Sequence, residues 1–171
     1  MVATTLLHSK ANLFDKHPTA EANLKELKDL GCTIMYNINV HTMSRHRSLK
    51  QMEFDRIVYN FPHAGYKYQR EHDKAQIKLH QELLEGFFKS ARDMITKNGE
   101  VHVTHKTAYP FDEWKVKDLA IKAGLCLVEE VAFSKDDYPG YENKRGDGKR
   151  CNKTFPVGEC STYKFGLPKL F

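Results

Sequence analysis

The spacing of apolar and polar positions changes along this chain, and each change marks an element. Val2–Leu7 (VATTLL) reads as a short strand. From Thr19 to Leu30, Ala20, Leu24, Leu27 and Gly31 recur at helical spacing, with Thr19 placed to cap the helix and Gly31 to close it in the left-handed conformation. Thr33–Val40 (TIMYNINV) reads as the next strand, followed by a polar loop through Ser48. Phe54–Phe61 reads as a third strand, rich in aromatic and β-branched residues. A long helix is expected over Asp73–Lys97. Leu83, Leu84, Phe87, Phe88, Ala91, Met94 and Ile95 give it a wide apolar stripe, and Asn98-Gly99 would end it. Glu100–Lys106 alternates as a strand, Asp112 opens a helix to Ala123 with Gly124 as its stop, and Leu125–Phe133 and Ser161–Phe165 are the last strands.

Strands alternating with helices imply βαβ units, hence an α/β fold with a mainly parallel sheet of six strands and helices on both faces. The last two strands are joined by the turn-rich Ser134–Gly158 with no crossover helix, so they should form a terminal antiparallel pair.

Phe54–Gly65 (FDRIVYNFPHAG) is the stretch with chemistry in it. Pro62 cannot donate to a ladder and biases Phe61 away from helix, so the chain leaves the sheet at Asn60-Phe61-Pro62-His63. In an open α/β sheet the carboxyl ends of strands are where ligands bind. An amide, an aromatic ring and an imidazole held there suit a planar base: hydrogen bonds to its edge, a ring on its face. An ordinary strand exit, with His63 capping the loop and Phe61 in the core, is the bland alternative.

Composition narrows the class. A chain of 171 residues, 40% hydrophobic, supports one domain (residues 1–171) with a substantial core. No run of 18 or more apolar residues and no secretory leader pattern occur, so neither a membrane-spanning helix nor export is expected. Cys32, Cys126, Cys151 and Cys160 show no C-x-x-C pairing. Cys32 and Cys126 should be buried free thiols in a reducing, intracellular setting, while a Cys151–Cys160 bridge or zinc site is only weakly signalled. His102 and His105 lie three apart on a strand and point to opposite faces, so they do not form a metal pair. The net charge of +5 is compatible with nucleic acid without demanding it.

Four blocks now add up: FDRIVYNFPHAG, HVTHKTAYPFDEW (His102–Trp114), DDYPGYENKRG (Asp136–Gly146) and FPVGECSTYKF (Phe155–Phe165). Together, in this order, they resemble the Rossmann-like domain of the large-subunit rRNA uridine-N(3) methyltransferases, in particular its plant members. The resemblance runs from about Val2 to Phe165. It implies a class I methyltransferase fold and methyl transfer from S-adenosylmethionine to a uridine ring nitrogen, with large-subunit rRNA or a pre-ribosome as partner in the cytoplasm or nucleolus. It carries Asn60, Phe61, Pro62 and His63 over as catalytic residues: Asn60 on the uracil edge, Phe61 stacking, His63 accepting or relaying a proton. Donor-binding positions would be Thr5, Leu6, Asn39, Val40 and Asn60.

RNA contacts are expected from Lys106, at its strand's end, and from the basic and aromatic loop of Tyr138, Tyr141, Lys144 and Arg145. Its acids Asp136, Asp137, Glu142 and Asp147 dilute the charge, and a solvated hairpin loop is the plain alternative.

The family begins with a strand and a glycine-rich turn that cradles the donor. Here Val2 corresponds to the second strand and no glycine precedes Gly31, so that first strand is expected to be missing. Asn39 stands where an acid is usual, and Leu6-Leu7-His8-Ser9 offers none after the first strand read here. The alternative function is therefore a non-catalytic RNA-binding relative that has lost the donor site. A different Rossmann-like nucleotide binder is disfavoured, since no phosphate-binding glycine loop is visible.

Overall fold

The structure, a computed structural model, describes residues 1–68, 70–146 and 148–169; Asp147, one of the loop acids, lies outside them. The chain forms two units, Met1–Asn39 with Gly140–Pro156 and Val40–Pro139 with Val157–Phe171.

In the first unit, β1 (Val2–Thr4) pairs in parallel with β2 (Thr33–Met35), Val2 opposite Thr33. Both are shorter than the apolar runs suggest. Asn37, at φ +58°, turns the chain out of β2, and the Asn37 and Ile38 amides donate to the Leu7 and Thr5 carbonyls. Helix α1 (Lys10–Lys16) was not expected, because Leu13 and Phe14 alone make no stripe. Ser9 caps it, its side chain accepting from the Asn12 amide. Helix α2 (Ala20–Asp29) buries Leu24. Gly31 closes it as expected, at φ +74°, with its amide on the Lys28 carbonyl. Thr19 does not cap it: already in the helical region, it offers no side-chain bond.

The second unit holds β3 (Phe54–Asn60), α3 (Lys74–Arg92), β4 (Ile95–Lys106), α4 (Val116–Lys122), β5 (Cys126–Ala132) and β6 (Cys160–Gly166). Its sheet order is β3-β4-β6-β5. β3 and β4 are parallel, while β6 is antiparallel to both its neighbours. The α/β class and the terminal antiparallel pair are therefore present, but the six strands lie in two sheets and the larger one is mixed rather than mainly parallel. Helix α3 stops at Arg92, short of Lys97: Ile95 and Thr96 are β-branched and already belong to β4. Gly99 is no helix stop. It sits where β4 bulges between the Phe54–Ile95 and Arg56–Glu100 pairs, and a Cβ there would lie 2.8 Å from the Phe54 carbonyl oxygen. The helix expected from Asp112 is broken at Lys115, φ +54°, into a 3₁₀ turn (Phe111–Trp114) and α4.

One face of this sheet makes the core. Tyr59 meets Phe87 at 5.0 Å between ring centroids and Phe88 meets Phe165 at 5.2 Å, around Val101 and Val103, which are fully buried. Both helices of the unit lie on that face, not one on each. The opposite face is wet and ion-paired: Arg56–Glu100 at 3.2 Å, His102–Glu100 at 2.8 Å and Lys164–Glu129 at 2.6 Å. All four cysteines are free. Cys32 is buried as expected, whereas Cys126, on edge strand β5, is only half-buried.

Candidate active site

In the second unit β3, β4 and β5 finish at one edge of the sheet, where β6 begins; the register pairs Asn60 with Thr104, Lys106 with Cys160 and Ala132 with Ser161. Asn60, the last residue of β3, is exposed. Phe61 comes next at φ +48°, a region that costs a residue with a Cβ about 1–2 kcal/mol. It is held there from two sides. Its amide donates to the Thr104 carbonyl at 2.8 Å, and its ring packs edge-on against Phe133, centroids 5.6 Å apart. Pro62 is buried behind it. A strained residue fixed at a strand's carboxyl end, with a polar side chain before it, is how ligand-contacting loops are commonly aimed.

The support beneath the loop is built from polar side chains that the apolar pattern passes over. On α3, Gln76 and His80 stand one turn apart on the same side, and neither is exposed to any extent. Gln76 accepts from the Lys67 and Tyr68 amides and donates to the Gly65 carbonyl at 2.7 Å. His80 Nδ1 accepts from the Ala64 amide at 3.2 Å, while its Nε2 lies 3.0 Å from Gln76 Nε2. His63 Nδ1 accepts from the Gly65 amide at 3.0 Å, and its Nε2 meets Glu71 Oε1 at 2.9 Å. Both nitrogens of the residue expected to handle a proton are thus engaged. The other Glu71 oxygen, 3.3 Å from His80 Nε2, is buried and has no well-aligned hydrogen bond.

These contacts set the electrostatics. Burial raises the Glu71 carboxyl, but contacts from His63, His80 and Tyr66 outweigh it and hold Glu71 well below the usual carboxylate range. Burial lowers His80, partly offset by Glu71. Beneath them His80 stacks on Trp114, ring centroids 3.9 Å apart, and His105 packs on the same indole at 4.3 Å. A carbonyl can only accept, so His105 Nε2 donates to that of Phe111 at 3.1 Å, and burial pushes the ring's pKa down to about 4. His102 faces Glu100 on the wet side, so the two strand histidines do point apart.

At the same edge Lys106 places its ammonium 4.8 Å over the Phe111 ring. Tyr138, about half exposed, stacks on Phe133 at 5.5 Å and 17°. Phe61, Phe133 and Tyr138 therefore form a continuous aromatic row. Phe133 had no signal beyond ending a strand. Glu71, Gln76 and His80 had none beyond lying near Pro62.

The remaining expected residues are elsewhere. Thr5, Leu6 and Asn39 belong to the first unit, and Val40 opens the second. Thr5 Oγ1 accepts from the Leu7 amide, Leu6 is largely exposed, and Asn39 is exposed. Tyr141, Lys144 and Arg145 are also in the first unit. Their loop is pinned by Asn143 Nδ2 on the Phe155 carbonyl at 2.6 Å and by the Arg145 amide on the Lys153 carbonyl. Lys144 is paired with Glu142 at 2.7 Å.

A βαβ unit ending in an inserted antiparallel strand, with its polar loop at the strands' carboxyl edge, is the layout of a class I, Rossmann-like methyltransferase. The solved S-adenosylmethionine-dependent methyltransferase from Clostridium acetobutylicum has this fold, with a TM-score of 0.54 at 11% identity over 98% of this chain and 75% of that one. More narrowly, the chain belongs to the family described as BMT5-like, rRNA (uridine-N3-)-methyltransferase BTM5-like, which matches residues 1–145 and so spans every site residue expected from the sequence. It is 49% identical over 155 residues to heavy metal-associated isoprenylated plant protein 41 of Arabidopsis thaliana, covering 91% of this chain and 30% of that protein. It is 25% identical over 211 residues to the 25S rRNA (uridine(2634)-N(3))-methyltransferase of Saccharomyces cerevisiae, covering 93% of this chain and 62% of that protein. The chain thus spans under a third of the plant relative and about three fifths of the yeast one. Among the described residues no helix is long and apolar enough to cross a membrane.

Proposed function

We propose that this chain carries the base-recognising side of an rRNA methyltransferase acting on N3 of a uridine in large-subunit rRNA, in the nucleolus or cytoplasm, with free rRNA or a pre-ribosome as its partner. The observation that carries the reading is the Asn60–Gly65 loop: an exposed amide fixed at a strand's carboxyl end by a strained Phe61 and a buried Pro62. Asn60 binds the edge of a flipped uracil, and the row of Phe61, Phe133 and Tyr138 offers faces for stacking. Lys106 meets the backbone phosphates, as do Tyr141, Lys144 and Arg145 of the first unit.

S-adenosylmethionine, when bound, supplies the electrophilic methyl group. Of the residues assigned to it, Asn39 in the first unit can hydrogen-bond adenine or ribose. Those residues include no carboxylate to hold the ribose hydroxyls. That mismatch favours a second reading, a relative that binds RNA without methylating it.

Methylation of an unmodified large-subunit rRNA transcript, read by mass spectrometry as 3-methyluridine, tests both. Product formation would support the first reading, and Asn60→Ala should then lower the rate on the order of 10²-fold, by far more than it lowers donor affinity. Wild-type turnover by Asn60→Ala would overturn the assignment of the loop. RNA binding without product would establish the second reading.

A further inference from the structure

His63, Glu71 and His80 bring three ligand-type atoms within 4.8 Å of one another, the donor set of a zinc site. The hydrogen bonds argue for something else. The Gly65 amide can only donate, so His63 Nδ1 is the acceptor, at 3.0 Å. The neutral ring must then carry its proton on Nε2, pointed at Glu71 Oε1, 2.9 Å away. A cation on Nε2 would drive that proton to Nδ1, against the Gly65 N–H. The site is arranged for a proton, not for a metal.

We infer that Glu71 is the positioning residue that locks His63 in the Nε2–H tautomer, leaving the Nδ1 lone pair as the basic atom of the loop. Glu71 is itself fixed. Its Oε2 is buried 3.3 Å from His80 Nε2, and His80 is wholly enclosed between Trp114 and Gln76 and accepts the Ala64 amide. Glu71, His80 and Gln76 together therefore hold both the backbone of residues 64–68 and the ring of His63. The same logic orients the histidine of hydrolase triads, where a carboxylate on one nitrogen leaves the other free to take a proton.

For the proposed methyl transfer, on which this role rests, the consequence is specific. Substrate N3–H replaces the Gly65 N–H at Nδ1. The proton passes to Nδ1, its bonding pair stays on N3, and the imidazolium so formed is met by the Glu71 carboxylate. Gly65, at φ +78°, has the backbone freedom to turn its amide away while its carbonyl stays on Gln76.

Long-range ¹H–¹⁵N spectra of the histidine rings decide the tautomer without any substrate. In the wild-type chain at pH 8, His63 should carry its proton on Nε2. Glu71→Gln keeps an acceptor without the charge and should retain that tautomer; Glu71→Met leaves only the Gly65 N–H to favour it, so a fraction of Nδ1–H should appear beside Nε2–H. An Nδ1–H signal for His63 in the wild type would overturn the inference, as would one equivalent of zinc displacing the Nε2 proton. Should Glu71→Met fail to fold, the wild-type spectrum and the zinc titration still decide. On rRNA, Glu71→Gln should lower kcat at least tenfold with KM nearly unchanged, and unchanged kcat would also refute the role. A wild-type chain that makes no 3-methyluridine would instead fail the proposed reaction, and the spectrum would still pass or fail the tautomer lock.

Discussion

Acid should unfold this protein through His105, and the size of the effect can be worked out. The ring is 3% exposed, packed on Trp114, and burial pushes its pKa from 6.5 to about 4. The folded state therefore binds fewer protons than the unfolded state between those values. Stability from this group is complete above pH 6.5 and is lost as pH falls toward 4. A gap of about 2.5 pH units corresponds to about 3 kcal/mol in all. About 2 kcal/mol of it disappears between pH 7 and pH 5. The comparison is wild type against His105→Gln, which keeps a donor for the Phe111 carbonyl but does not titrate. Urea unfolding at pH 7 and pH 5 reads it. With a slope of about 2 kcal/mol/M, the wild-type midpoint should fall about 1 M further than that of the variant. Glu71 and His80 titrate in both proteins, so they drop out of the difference. Parallel falls in the two midpoints would refute the reasoning.

Two further outcomes test the surroundings of the loop. A Cβ on Gly86 would land within the His41 ring, so Gly86→Ala should lower stability by roughly 1–3 kcal/mol, read as a drop in melting temperature. An unchanged melting temperature would mean that His41 is free to move aside. Tyr138→Ala should weaken binding of single-stranded uridine-rich RNA by about 1–3 kcal/mol while Tyr138→Phe spares it, measured by fluorescence anisotropy. Equal losses in the two variants would show that the hydroxyl, not the ring face, makes the contact.

The alternation of strands and helices was legible because the apolar period switches cleanly at Gly31, Pro62 and Gly124. The loop was legible for a related reason: Pro62 forces an exit just where a strand ends. What misled was local ambiguity. Met94 and Ile95 extend the apolar stripe of α3 by spacing alone, yet Ile95 pairs with Phe54, a partner far back along the chain. Gln76 and His80 look like the solvated side of a helix. They are enclosed because they satisfy backbone groups of residues 64–68, and no periodicity registers such a debt between a helix and a loop. Phe133 escaped notice in the same way, since its contact with Phe61 joins segments distant in sequence. The separation into two units also leaves no trace in composition, because residues 140–156 join the first unit from far along the chain.

The placement of β6 bears on how the protein comes to be made. This strand, late in the chain, lies inside the sheet, bonded to β4 on one side and β5 on the other. Until Cys160–Gly166 has left the ribosome, β5 has no neighbour and β4 presents an open row of amides and carbonyls. Thr104 must then find Thr162 across a long stretch of intervening chain, a closure that slows folding. The second unit therefore cannot complete its sheet before that strand emerges. Its nascent form, carrying Val101 and Val103 beside an unpaired edge, is the species on which chaperones would be expected to act.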